Sequence, residues 1–303
     1  MTRPLIVNAD DYGLTRGVSR AILEAHEHGV VTSTSVLVLG PAFAATAGWL
    51  RAHERLSTGL HLALVGEDPP LLSRREIPTL VDRRGRLPAS WKVLVGRFAA
   101  RRVDPGDVRR EVDAQHQAFR TAGLVASHVD THQHVHLWPG LDAVVLDAAQ
   151  RWGVPAVRVP DAEGRGPVPA AVRRLGRRLG RAARDRGLRH PSRFVGLDDS
   201  GHLDAAAWSR LVPRLAAPDG DGTVEVGCHP GAADDPERGR YRWGFDWPGE
   251  IAALTDPALR RSIDEAGMTL VSYADAFAEG GTGDTSAGSN GTPPRGSSTG
   301  TGG

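Results

Sequence analysis

The sequence predicts an α/β fold with a parallel sheet, most readily a closed (β/α) barrel, with a doubly wound open sheet as the alternative. Three observations carry that prediction. Six to eight short apolar or β-branched runs alternate with longer helical patterns up to about residue 278. That alternation is the signature of βα units, over a length that suits a barrel. The ionisable residues that can do chemistry collect at the ends of the runs, where parallel α/β folds build their active sites.

The first unit is "PLIV" leading into "NADDYGL", followed by "GVSRAILEAHEHG", whose Val18, Ile22 and Ala25 share one helical face and whose Gly29 stops it. "TSTSVLVL" then precedes a helical "AFAATAGWLRAHE", and "STGLHLALV" reads as the third strand. Residues 65–103 break the rhythm with prolines and scattered apolar positions, so a lid or substrate wall is expected there. "DPGDVRREVDAQHQAFRTAG" is a helix capped by Asp104 with Pro105 at its first position. The strand "ASHVDTH" follows, then helix "GLDAVVLDAAQRWG" and strand "VPAVRVP". An Arg-rich helix near 170–186, with arginines spaced as a solvated face, precedes "SRFVGL", "DAAAWSRLVPRLA" and "TVEVGCHPG". One helix across 249–266 and the strand "MTLVSY" complete the domain, 1–278. Residues 279–303 are almost wholly Gly, Ser, Thr and Pro and are expected to form a disordered tail.

Composition narrows the function classes. With 37 Lys+Arg against 36 Asp+Glu, the net charge of +1 gives no general pull toward nucleic acid or acidic membrane surfaces. No apolar run approaches the ~20 residues of a bilayer span. A single cysteine, Cys228, forms no internal disulfide, and with no signal-peptide pattern the expected location is the cytoplasm. Cys228 and His229 are neighbours on a strand and point to opposite faces, so the thiol reads as buried and structural.

The acidic pair Asp10–Asp11 ends the first strand, His61 sits in "TGLHLAL", Asp130 and His132 lie in "HVDTHQHVH", and His229 lies in "VEVGCHPG". The segment "HVDTHQHVH" holds four of the 12 histidines within nine residues. At period two, an extended chain aims His128, Asp130, His132, His134 and His136 to one side. Imidazoles with a carboxylate and open water positions make a hydrolytic or redox metal site. Asp130 is placed to orient a ligand imidazole, and Arg158 at another strand end to steady a carboxylate or a tetrahedral intermediate. Trp91, Trp138, Trp243 and Trp247 are candidate sugar-stacking surfaces, and Trp138 in "HLWPGL", closest in sequence to the histidines, is the first choice among them.

"LIVNADDYGL", "GVVTSTSVLV", "TGLHLAL", "HVDTHQHVH" and "EVGCHPG", in that order, resemble the successive motifs of the YdjC-like carbohydrate deacetylases of the ChbG and HpnK type. The resemblance implies a distorted (β/α) barrel of about seven parallel strands, related to polysaccharide deacetylases. It implies one divalent ion, Mg2+ or Zn2+, held by Asp11, His61 and His132, with Asp10 as general base and His229 as the acid. The activity implied is removal of N-acetyl groups from an amino sugar or oligosaccharide, chitooligosaccharide-like or part of a glycosylated lipid. The expected partner is therefore an N-acetylated carbohydrate, with no nucleic acid and with a homodimer as one admissible assembly. Two rivals stand beside it. A phosphoesterase on a similar barrel would use His134 or His136 for a second metal, and a non-catalytic sugar-binding protein would keep the fold without the chemistry.

Overall fold

A computed structural model describes residues 2–216 and 222–278. The boundary residues 279–303, read above as a disordered tail, lie outside the described residues. Chain order is β1 (Arg3–Tyr12), α1 (Arg16–Glu27), β2 (Ser33–Val36), α2 (Phe43–Leu50), β3 (Ser57–Leu62), α3 (Trp91–Ala99), α4 (Pro105–Thr121), β4 (His128–Thr131) and α5 (Leu141–Trp152). It continues with β5 (Ala156–Val157), α6 (Pro167–Arg184), β6 (Arg193–Val195), α7 (Ala205–Leu215), β7 (Val224–Cys228), α8 (Trp247–Thr255), α9 (Pro257–Glu265), β8 (Met268–Leu270) and α10 (Tyr273–Ala276). All strand pairs are parallel, in the order β5-β4-β3-β2-β1-β7-β6, and β8 pairs the start of β1.

The central strand β1 is buried from Leu5 through Tyr12, as expected of a strand covered on both faces. It pairs with β8 over Arg3–Leu5, with β7 over Leu5–Ala9 and with β2 from Asn8 onward, so three strands hold it along its length. The sheet is rolled. Four strand spacings separate β5 from β1, ~19 Å if flat, yet Arg158, the residue after β5, bonds Asp10 of β1 at 2.7 Å and Glu225 of β7 at 2.8 Å.

The barrel is not fully closed. Strands β5 and β6 have two and three residues, and the seam between them carries only the bridge Ala156↔Arg189. Pro155, Pro160 and Pro191 flank these strands, and a proline brings no N–H to extend a ladder. The strands thus form a curled half-barrel, the distorted barrel of about seven parallel strands that the resemblance implies, and not a closed one.

One further expectation is revised. The helix across 249–266 is two helices, broken at Asp256, because a residue before proline avoids the helical region; Asp256 instead caps α9 by accepting from the Ala258 N–H. Residues 65–103 contain α3 and bury Ile77, Leu80, Leu87 and Leu94, making a packed wall. The cap on α4 is as read: the Asp104 side chain accepts from Gly106 N–H, with Pro105 first in the helix. The Arg-rich helix α6 buries Gly176, Leu179, Gly180 and Ala183 and turns Arg178 to Asp142, and Arg186, just past its end, pairs with Asp147. Among the described residues no helix is long and apolar enough to cross a membrane.

Candidate active site

The tip of β1 departs from regular strand geometry, and the departure positions both acids. Between Ala9↔Thr34 and Tyr12↔Val36 the register slips, so three steps of β1 face two of β2. Asp11 takes φ +68°, a left-handed conformation costing on the order of 1–2 kcal/mol for a residue with a Cβ. In a regular strand Asp10 and Asp11 point to opposite faces. Here both reach the centre of the barrel, Asp10 toward Arg158 and Asp11 toward two histidines.

His61 Nε2 lies 3.5 Å and His132 Nδ1 3.2 Å from Asp11 Oδ1, and the three atoms form a buried group able to hold a metal ion. No well-directed hydrogen-bond donor reaches Asp11 Oδ1, although it is buried. An orphaned carboxylate oxygen between two imidazole nitrogens is the donor set a divalent cation completes, and three protein ligands leave positions open for water and substrate. Burial pushes the Asp11 carboxyl up, but His132, then His61 and His229, bring it down to about 2. Burial pulls His61 down, and Asp130, 2.8 Å from its Nδ1, together with Asp10 and Asp11 raises it to about 9. The Asp130 contact also fixes the ring so that Nε2 faces Asp11.

A second group, Asp10, His61 and Asp130, is as compact. Its cation is already present. Arg158, fully buried, grips Asp10 with two parallel bonds of 2.7 and 2.8 Å, sits 2.5 Å from Asp130 Oδ2, and donates through Nε to Glu225. Burial opposes the Asp10 charge, and Arg158 outweighs it, holding the carboxyl below its ordinary value. Glu225 stands farther from that balance. Burial raises it to about 7 despite Arg158, and Tyr273 donates to its other oxygen at 2.5 Å. Removing one member of such a buried cluster costs ~3–5 kcal/mol because it strands the others' charges. Arg158 is thus the counter-ion of the site, not a surface arginine.

The histidine segment does not run extended. Strand β4 ends at Thr131, and Gln133 and His134 both adopt left-handed angles, φ +53° and +51°, inside a 3-10 turn at His132–Leu137. The period-two alignment therefore fails after His132. Among the five aligned residues, only Asp130 and His132 face the acids. His128 bonds Ser35 and Ser127 and stacks on Tyr273, in room left by Gly59. His136 bonds Thr131 Oγ1 and the Arg158 carbonyl, and His134 packs edge-on to Phe194. Burial pushes these rings down, to about 3 for His128 and His134 and about 4 for His136, so they are neutral packing groups.

At the end of β7, the His229 backbone N–H donates to Glu250 at 2.5 Å and its Nε2 stands 3.9 Å from Asp10 Oδ2. Cys228 is buried, its thiol donates to the Asn8 carbonyl, and burial raises it far above the reactive range. The aromatic expectation changes. Trp138 stacks on Trp91 at 5.3 Å, while Trp243 lies 5.1 Å from the His132 ring. Sequence reasoning also passed over Asn8, which donates to Asp10, and over Glu225 and Tyr273. A carboxylate within the apolar run "VEVGC" was the available signal for Glu225.

The model of the family described as YdjC-like protein matches residues 4–265. This chain belongs to the YdjC-like family. A protein described as a carbohydrate deacetylase from Geobacillus stearothermophilus is 33% identical over 91% of this chain and 99% of that protein. A human carbohydrate deacetylase is 34% identical, covering 91% of this chain and 92% of its own. A chitooligosaccharide deacetylase from Serratia marcescens is 29% identical over 91% of this chain and all of that one. Among solved structures, an Enterococcus faecalis protein described as a candidate cellobiose-phosphate cleavage protein matches with a TM-score of 0.77 at 27% identity, over 90% of this chain and 98% of that one. The motifs quoted from the sequence are thus those of the YdjC-like family along most of the chain.

Proposed function

We propose that this chain is a metal-dependent hydrolase that removes the N-acetyl group from an amino sugar or a short N-acetylated oligosaccharide, with 1–278 as its catalytic domain. The observation that carries the reading is the buried, donor-less Asp11 Oδ1 between His61 Nε2 and His132 Nδ1, in a chain whose relatives are described as carbohydrate deacetylases. Asp11, His61 and His132 would hold one divalent ion, Zn2+ or Mg2+. When bound, such an ion supplies Lewis acidity and lowers the pKa of water.

The chain's own groups divide the remaining work. Asp10 stays ionised because Arg158 and Asn8 hold it, and one of its oxygens faces His229. It accepts the proton of the attacking water as general base. His229 donates a proton to the departing amine nitrogen, its ring presented where β7 ends and by the Glu250 contact to its backbone. Arg158 acts through Asp10, fixing its orientation, and does not face the substrate. Asp130 keeps the His61 proton on Nδ1 and leaves Nε2 for the ion.

The phosphoesterase reading asked His134 or His136 to hold a second ion; His136 spends both ring nitrogens on Thr131 and the Arg158 carbonyl, and His134, whose Nδ1 has no hydrogen-bond partner, packs on Phe194 and belongs to neither group of side chains among the described residues that could hold an ion. The test is acetate release from N-acetylglucosamine oligosaccharides by metal-stripped and reconstituted protein. Activity restored by Zn2+ or Mg2+ and lost in His61→Ala and His132→Ala is the expected result. Activity that survives stripping and both substitutions, or cleavage of phosphate esters in place of amides, overturns the reading. Without activity but with sugar affinity, the non-catalytic alternative replaces it.

A further inference from the structure

The loop between β7 and α8 roofs the site. Trp243 lies over His132, and the Phe245 ring stands 4.9 Å from that of His229, so one aromatic covers a proposed metal ligand and the other the proposed acid. Gly244 between them has φ +77°, which sets the two rings on a bend that a residue with a Cβ resists. Gly201 leaves the space into which Phe245 packs, since a Cβ there would overlap its ring.

This flap is tied to the wall segment by three polar contacts. Trp243 Nε1 donates to Glu67 at 3.0 Å, Tyr241 Oη donates to Asp68 Oδ2 at 2.9 Å, and Arg240 bonds Asp68 Oδ1 at 2.7 Å. Beneath it, the space beside His132 and Trp243 is about 10 Å3, room for a water and not for a sugar ring. A carbohydrate that occupies this space between His132, Glu67 and Asp68 therefore displaces Trp243. The displaced indole offers an aromatic face, the surface that packs on the C–H face of a pyranose, and lifting it frees carboxylate oxygens suited to accept from sugar hydroxyls.

We propose that Trp243 and Phe245 form the sugar platform of the site, and that Glu67 and Asp68, which latch the flap closed, take sugar hydroxyls when it opens. The inference deepens the deacetylase reading and rests on it. It also relocates the stacking surface from Trp138, which is occupied by Trp91.

The test measures binding of tri-N-acetylchitotriose to the full chain by calorimetry, beside KM and kcat for acetate release with metal restored. Trp243→Ala should weaken binding and raise KM by about 3- to 10-fold, with the loss mainly in KM, and Trp243→Phe should recover most of it. Trp138→Ala should bind as the parent does. Asp68→Asn should speed tryptic cleavage at Arg240 and Arg242, because the latch loses its charged partner. If the parent deacetylates the trisaccharide and Trp243→Ala matches it in both KM and affinity, the platform is wrong and the deacetylase reading stands. If the parent neither binds nor deacetylates any N-acetylated oligosaccharide, both fall.

Discussion

His132 and His136 lie four residues apart and are both enclosed by protein, yet they do opposite things. His132 faces the orphaned oxygen of Asp11, whereas His136 spends both ring nitrogens on Thr131 and the Arg158 carbonyl. The same contrast separates His61, held between Asp130 and Asp11, from His128, held between two serines. Residue type does not distinguish the two kinds. Their neighbours do: carboxylates around a ring raise its affinity for a proton or a cation, and hydroxyls and carbonyls in a dry interior hold it neutral.

The sharpest way to break the contrast is to delete each kind. His61→Ala or His132→Ala should lower zinc affinity and acetate release by more than the ~100-fold typical of losing an outer partner of a metal ligand. Circular dichroism should report a retained fold. Asp130→Asn comes next, with a loss of ~10- to 100-fold in ion affinity by calorimetry, because His61 keeps a partner but loses the charge that orients it. His136→Leu should leave the bound-ion stoichiometry at the parent's value and cost ~1–3 kcal/mol in urea unfolding, since it strands Thr131 Oγ1 and the Arg158 carbonyl.

The smallest effect is in pH. His128 and His136 are depressed to about 3 and 4 from an ordinary 6.5. A folded-state value below the unfolded one means that the unfolded chain binds more protons, so their contribution is full above pH 6.5. It is lost as pH falls toward 4 and then 3. By pH 5 each costs about 2 kcal/mol, and a urea series should show stability falling below pH 6.5, less steeply in His136→Gln.

Much of this site was legible in the chain. Strand ends marked by Asp10, Asp11, His61, Asp130, His132 and His229 do converge, because parallel strands of a rolled sheet bring their carboxyl ends together. The histidine segment contributes His132 without being extended throughout. Period two fails at Gln133 and His134, whose left-handed angles no local propensity announces. The role of Arg158 was equally hidden. Its three carboxylates come from β1, β4 and β7, and only the roll of the sheet joins them. Trp243 was one of four candidate stacking tryptophans but ranked behind Trp138 for the same reason: it lies more than a hundred residues from His132 in sequence and meets it through a loop after β7.

The adjacent acids at the tip of β1 are the central claim. Arg158 neutralises Asp10, and on the proposed reading this leaves Asp11 as the carboxylate for an exogenous cation. Anomalous diffraction from crystals soaked in zinc tests this directly. The account predicts a single peak bounded by Asp11 Oδ1, His61 Nε2 and His132 Nδ1, with the Arg158–Asp10 pair intact. A peak among Asp10, His61 and Asp130, with Arg158 displaced, would contradict it.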